Sequence, residues 1–135
     1  MTEQSLFSEL QLKNIKLANR IIVSPMCQYS ATDGFANDWH LVHLGQFAIG
    51  GAAVVMQEAT AVSPIGRISY GDLGIWSDAH IEKFKQITEF ISEQGSIPGI
   101  QLAHAGRKAS TEKPWIGGKQ LRPQEQNGWQ TISPQ

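Results

Sequence analysis

Only one cysteine, Cys27, stands among 135 residues. A single thiol cannot close an internal disulfide, and alone it cannot ligate an iron–sulfur cluster. An excess of charge is missing too. Eleven Lys and Arg face 12 Asp and Glu, for a net charge of −1, so nothing draws the chain electrostatically to nucleic acid or to an anionic membrane. No apolar run suits a membrane span. The longest uncharged stretch, residues 39–57, contains His40 and His43 and is broken by Gly50 and Gly51. The N-terminal residues carry Glu3, Glu9, Lys13 and Lys16 without an apolar core, which argues against a secretory leader. A cytoplasmic chain is therefore expected, with no nucleic-acid or membrane partner, and its length fits one domain with a modest core.

What is present alternates. The segment LFSELQLKNIKLANR reads as two short extended pieces joined at Lys13-Asn14, a hairpin. RIIVSPM holds a β-branched run, and a strand is expected near Ile21–Pro25. NDWHLVHLGQFAIGG places apolar residues at 41, 44, 47 and 48, which predicts a helix near Asp38–Ile49, capped by Asn37 or Asp38 and stopped by Gly50 or Gly51. AAVVMQEAT is a continuous apolar run, so a strand covered on both faces is expected near Ala53–Glu58. A long glycine-containing loop, AVSPIGRISYGDLGIW, comes next. Ser77 or Asp78 then caps a second helix near Asp78–Gln94, carrying Ile81, Phe84, Ile87, Phe90 and Ile91 and closed by Gly95. IPGIQLAHAGRK supplies a third strand near Gly99–Ala103, and beyond Lys108 the chain reads as polar loop to its last residue.

This β-α-β-α-β order calls for right-handed crossovers and parallel strands. Two architectures compete: a small doubly wound sheet, and the opening of a (β/α)8 barrel of about 250 residues. Three features favour the barrel. The last strand runs into loop with no helix to cover it, the hairpin suits the bottom of a barrel, and unusual residues gather at the C-terminal ends of all three strands: SPMC, EAT and QLAHAGRK. That strand end is where α/β enzymes carry their chemistry. SPMCQYS is the oddest of the three, since proline cannot donate to a ladder and neither a thiol nor a phenol is needed to finish a strand.

The blocks LKNIKLANRIIVSPMCQYS, EATAVSPIGRIS, LGIWSDAHI and GIQLAHAGRKAS, in that order, resemble the old yellow enzyme family. The resemblance is strongest to its subgroup with a cysteine beside the flavin, the YqjM-like and xenobiotic-reductase-like enzymes, and extends to about residue 110. It implies an α/β fold, the N-terminal part of a TIM barrel with an N-terminal β-hairpin. Residues 1–135 would then be one incomplete portion of a single FMN-binding domain: hairpin, three strands, two helices and the loop that follows. It further implies an FMN-dependent oxidoreductase, an ene-reductase that uses NADPH or NADH to reduce the C=C bond of small α,β-unsaturated carbonyl compounds. By the same resemblance, Ser24, Pro25, Met26, Cys27, Ala59 and Gln101 would bind the flavin, with Cys27 tuning it and Tyr29 lying by the substrate. The residue types suit that task, because a flavin ring needs flat apolar contact plus donors and acceptors along its polar edge.

Taken singly, these residues have plainer readings. Cys27 is then a small buried hydrophobe, Met26 core filler, Gln101 a partner for a backbone group and Tyr29 a loop anchor. His40 and His43 sit at i, i+3 on a helix without a third ligand, so no metal site is assigned. The family's carbonyl-binding pair, its proton-donating tyrosine and its phosphate grip match nothing in this sequence, so no catalytic residue is assigned to this segment. The resemblance therefore makes the remaining barrel segment a necessary partner, with a homo-oligomer expected once complete. The alternative is a truncated, non-catalytic fragment acting as a structural or interaction module.

Overall fold

The computed structural model describes residues 5–132. Strands β1 (Leu10–Leu12) and β2 (Ile15–Leu17) form an antiparallel hairpin that turns at Lys13, whose φ is 52°. After β3 (Ile22–Val23) comes helix α1 (Asp38–Ile49). Asn37 starts this helix by a reciprocal cap: its side-chain oxygen accepts the Trp39 N–H at 3.0 Å, and His40 Nδ1 accepts the Asn37 N–H at 3.1 Å. Gly51, with φ of 83°, ends the turn beyond it, where any side chain would be strained. Next are β4 (Val54–Ala61), the two-residue β5 (Leu73–Gly74), α2 (Ile81–Glu93) and β6 (Ile97–Ala103).

Strand β4 is central in a parallel sheet. On one edge it pairs with β3 near its start (Ile22 with Val54, Val23 with Val55) and with β5 near its end (Thr60 with Leu73, Ala61 with Gly74). On the other edge it pairs with β6 from Val54–Ile97 to Ala61–Ala103. Leu44 and Ala48 of α1, Ile87 and Ile91 of α2, and Val55 and Leu73 of the sheet form one buried cluster, which sets both helices on a single face. Among the described residues the sheet is open, and β6 pairs only with β4.

The helix at Asp38–Ile49 forms over the expected residues. The other elements differ in their bounds. Strand one stops at Val23 and does not reach Pro25, which has no N–H to offer a ladder; β5 takes up the same edge of β4 only at Thr60 and Ala61. Strand two continues past Glu58 to Ala61 through a bulge: the ladder slips between Gln57 and Ala59, and Glu58 has no opposite residue on β6. Strand three begins earlier, at Ile97, and takes Pro98 into its length, as a strand paired along one side can. The second helix opens with a single 3-10 turn over Asp78–His80, capped by Ser77 Oγ on the Ala79 N–H at 3.3 Å. The long glycine-containing loop holds β5, which was not expected. The segment after Lys108 is irregular apart from a 3-10 turn at Pro114–Ile116, yet Ala109, Ser110 and Leu121 are buried; its reading as loop over 133–135 lies outside the described residues.

Candidate functional site

The C-terminal ends of β3, β4 and β6 bring several of the singled-out residues together. Ala59 and Gln101 are direct neighbours in the β4–β6 ladder. Side chains of paired residues in a parallel ladder point the same way, so the small Ala59 and the exposed Gln101 amide share one face. Across β4, the half-buried Cys27 meets the backbone of Ala59 and the side chain of Tyr29. Ser24, Pro25 and Met26 continue β3 outward, with Ser24 and Met26 exposed and Pro25 half-buried. No described contact ties these three to Ala59 or Gln101.

The turn after Cys27 is held from three directions. From β4, the Glu58 carboxylate accepts the Gln28 N–H at 2.6 Å and also faces the Tyr29 N–H. From α1 and its cap, Trp39 Nε1 donates to Gln28 Oε1 at 3.1 Å, and Asn37 Nδ2 donates to the Ser30 carbonyl at 2.8 Å. From the loop before β5, the Gly71 carbonyl accepts the Ala31 N–H at 2.9 Å. Gly71 lies so close that a Cβ there would sit 2.5 Å from the Tyr29 carbonyl oxygen, a clash with backbone that cannot yield cheaply. Asp72 fixes that loop by accepting the Ile68 N–H at 2.8 Å and the Ser69 hydroxyl at 2.8 Å. Within this clamp Tyr29 adopts a φ of 51°, a sparsely populated conformation for a non-glycine residue that persists only where its surroundings impose it. The Tyr29 ring meets Trp115 edge-on at 5.9 Å, and the Lys113 ammonium lies over Trp115 and Tyr70.

The electrostatics favour neutral, hydrogen-bonding groups. Burial pushes the Cys27 thiol up, and the Glu58 and Asp72 carboxylates push it further. Burial likewise raises the Tyr29 hydroxyl, with Cys27 and Asp72 adding to it. Both groups therefore keep their protons at neutral pH and can donate them in hydrogen bonds. Glu58 is pushed up to about 7, mainly by burial, against the lowering effect of the Gln28 N–H. His40 is pushed down to about 4, again chiefly by burial.

Glu58 is not among the residues that the strand-end blocks single out, although the sequence carries a signal for it. It is the one acid within the apolar run AAVVMQEAT, and a charge inside a central strand demands partners. Its neighbours are the Cys27 turn and His40. His40 therefore has a place in the fold, while His43 packs edge-on against Phe47. Among the described residues no group of three His, Cys, Asp or Glu is placed to hold a metal ion.

A model of the NADH:flavin oxidoreductase / NADH oxidase family matches residues 5–123. The chain belongs to that family. It is 46% identical over 123 residues to an NADH:flavin oxidoreductase of Gibberella zeae, covering 91% of this chain and 30% of the relative. It is 51% identical over 111 residues to an NADPH dehydrogenase of Bacillus subtilis, covering 81% of this chain and 33% of the relative. Among solved structures, morphinone reductase in complex with tetrahydroNAD superimposes with a TM-score of 0.72 at 32% identity, over 78% of this chain and 28% of that one. The old yellow enzyme from Pichia sp. AKU4542 gives a TM-score of 0.74 at 28% identity, over 80% of this chain and 28% of that one. The chain thus spans about a third of the length of the curated relatives it matches. Hairpin and parallel sheet are those of the N-terminal part of the old yellow enzyme TIM barrel, and FMN with a nicotinamide dinucleotide are the cofactors of this family.

Proposed function

We propose that residues 1–135 form the N-terminal portion of a single FMN-binding barrel domain, and that the complete enzyme reduces the C=C bond of α,β-unsaturated carbonyl compounds with NADPH or NADH. The observation that carries this reading is the convergence of Cys27, Ala59 and Gln101 at the C-terminal ends of three adjacent parallel strands. Their chemistry fits a flavin ring. Ala59 leaves room for close approach, Gln101 offers an amide donor and acceptor, Ser24 a hydroxyl, and Pro25 and Met26 apolar contact. FMN bound there would supply hydride transfer between the nicotinamide and the substrate. This chain's part is to orient the ring from one side, to present the neutral Cys27 thiol to it, and to aim the protonated Tyr29 hydroxyl at a substrate oxygen.

The open sheet supports the incomplete-barrel reading. Beside β6 lies an apolar groove of about 260 Å³, lined by Leu44, Phe84, Ile87, Ile91, Pro98 and Ile100. Gln57 also faces it with a buried Nε2 that has no partner. The helix that would follow the third strand of a barrel is the occupant we assign to it. No helix among the described residues is long and apolar enough to cross a membrane, and cytoplasmic placement with homo-oligomerisation completes the proposal. The test is aerobic and anaerobic oxidation of NADPH by the flavin-loaded complete enzyme with cyclohexenone present. Stoichiometric cyclohexanone without oxygen supports the reading; flavin reduction with reoxidation by oxygen alone overturns it.

A further inference from the structure

Glu58 and His40 form a buried pair, 3% and 1% exposed, to which the proposed reaction assigns no part. We propose that Glu58 is a positioning residue: it fixes the Cys27–Tyr29 segment through that segment's backbone amides and couples its own protonation to the reactivity of the Cys27 thiol.

The geometry begins with the bulge. The slip in the ladder releases Glu58 from pairing with β6, and its carboxylate instead takes the Gln28 N–H at 2.6 Å and faces that of Tyr29. Neither amide has a strand to enter. Strand β3 has already ended at Val23, and the left-handed φ of Tyr29 turns the chain out of any ladder. Removing the carboxylate leaves half-buried donors unpaired, which is costlier than never having formed the bond. The bulge thus does what bulges beside functional sites do, which is to re-aim one side chain.

The groups around Glu58 make its charge state matter. From α1 comes His40, whose Nδ1 accepts the Asn37 N–H, so the neutral ring carries its proton on Nε2. That Nε2 lies 3.4 Å from Glu58 Oε1 but outside hydrogen-bonding geometry, and His43 stands next along the same helix. From the turn come Cys27 and Tyr29, and from the loop before β5 comes Asp72. Among the described residues no Lys or Arg forms an ion pair with Glu58. A carboxyl that titrates near 7 therefore has no fixed positive partner, and each time it ionises it opposes thiolate formation at Cys27. The inference shares its site with the flavin reading and rests on it for its catalytic consequence, but its test does not need a bound flavin.

The experiment is alkylation of the complete enzyme by iodoacetamide from pH 5.5 to 9, with and without FMN, quantified by mass spectrometry on the peptide containing Cys27. The thiolate sulfur attacks the methylene carbon, a sulfur–carbon bond forms and iodide leaves. Thiolate chemistry alone gives a tenfold rise in rate per pH unit. Wild type is expected to rise less steeply around pH 7, where Glu58 ionises, and to regain the full slope above it. Glu58→Gln keeps an oxygen for the Gln28 N–H but has no charge, so it should show the full slope throughout and react about tenfold faster at pH 8. Glu58→Asp, shorter by one methylene, should keep the break in slope while amide hydrogen exchange at Gln28 and Tyr29 speeds up. Identical profiles for wild type and Glu58→Gln overturn the coupling, and unchanged exchange in Glu58→Asp overturns the positioning. If the profiles behave as expected but FMN gives Cys27 no protection, the inference stands and the flavin reading falls.

Discussion

The turn after β3 and the strand β6 flank β4 on its two sides, yet they are built in opposite ways. Residues 28–31 are gripped by β4, by α1 and its cap, and by the loop before β5, through bonds of 2.6–3.1 Å. Gln101 projects from a strand paired on one side, next to Leu102, which is 61% exposed. The first region carries its own supporting shell; among the described residues the second has a partner strand on one side only. The backbone around Cys27 and Tyr29 is thus fixed by its own neighbours, whereas β6 presents the exposed Ile100 and Leu102.

The largest effect expected from this contrast is on the isolated 135-residue chain. With Ile22, Met26, Ile100 and Leu102 exposed and the β6 edge unpaired, it should aggregate or unfold without cooperativity in scanning calorimetry. A soluble monomer with a sharp transition at high temperature would show that the open edge needs no completion.

Much of this was legible in the sequence, for physical reasons that differ by element. Helix α1 follows from its apolar spacing and from Asn37, whose cap is a local interaction. The parallel order follows from the alternation of runs. The extent of β4 was not legible, because a bulge depends on which residue its neighbour presents. Nor was β5, whose two residues have no periodic pattern of their own and count as a strand only through pairing with Thr60 and Ala61 of β4. The residues proposed for the flavin site, Cys27, Ala59 and Gln101, come from the block order alone, and the ladder sets Ala59 beside Gln101. Glu58 could not be given its task, because its partners lie 30 residues back in the chain and 18 back on α1.

A smaller effect sharpens the contrast in energy. Glu58→Ala in the complete enzyme should lower stability by about 1 kcal/mol, the cost of stranding a half-buried amide. Gln101→Ala should leave the urea midpoint within error and weaken FMN binding by about three- to tenfold, the loss of a hydrogen bond at an exposed position. Equal destabilisation by both would erase the distinction between the two regions.

The pH dependence of stability offers a finer test. Glu58, raised to about 7, keeps its proton in the folded state while the unfolded chain releases it near 4.5, so rising pH lowers stability between those values. His40, lowered to about 4, is neutral when folded while the unfolded ring still binds a proton below 6.5, so rising pH adds stability between 4 and 6.5. The two oppose each other. Relative to wild type, Glu58→Gln should gain stability as pH rises from 4.5 to 7, and His40→Asn should lose it as pH rises from 4 to 6.5, both read from urea midpoints. Parallel curves for all three proteins would contradict the assignment.

Tyr29→Phe should give the smallest structural change. The ring still meets Trp115 and the backbone clamp remains, so stability and flavin binding should hold. The Michaelis constant for an unsaturated ketone should rise and reoxidation of the flavin by it should slow, as stopped-flow absorbance would show; a defect confined to reduction by NADPH would place the hydroxyl elsewhere.

The claim that the strand ends of this chain form one wall of a flavin site is tested most directly by a spectroscopic redox titration of bound FMN in the complete enzyme, wild type against Cys27→Ala. A thiol touching the ring responds to the charge the ring gains on reduction. FMN is expected to stay bound in the variant while its reduction potential moves. An unchanged potential, or a variant that is wholly inactive while wild type accumulates a covalent thiol–substrate adduct, would contradict it.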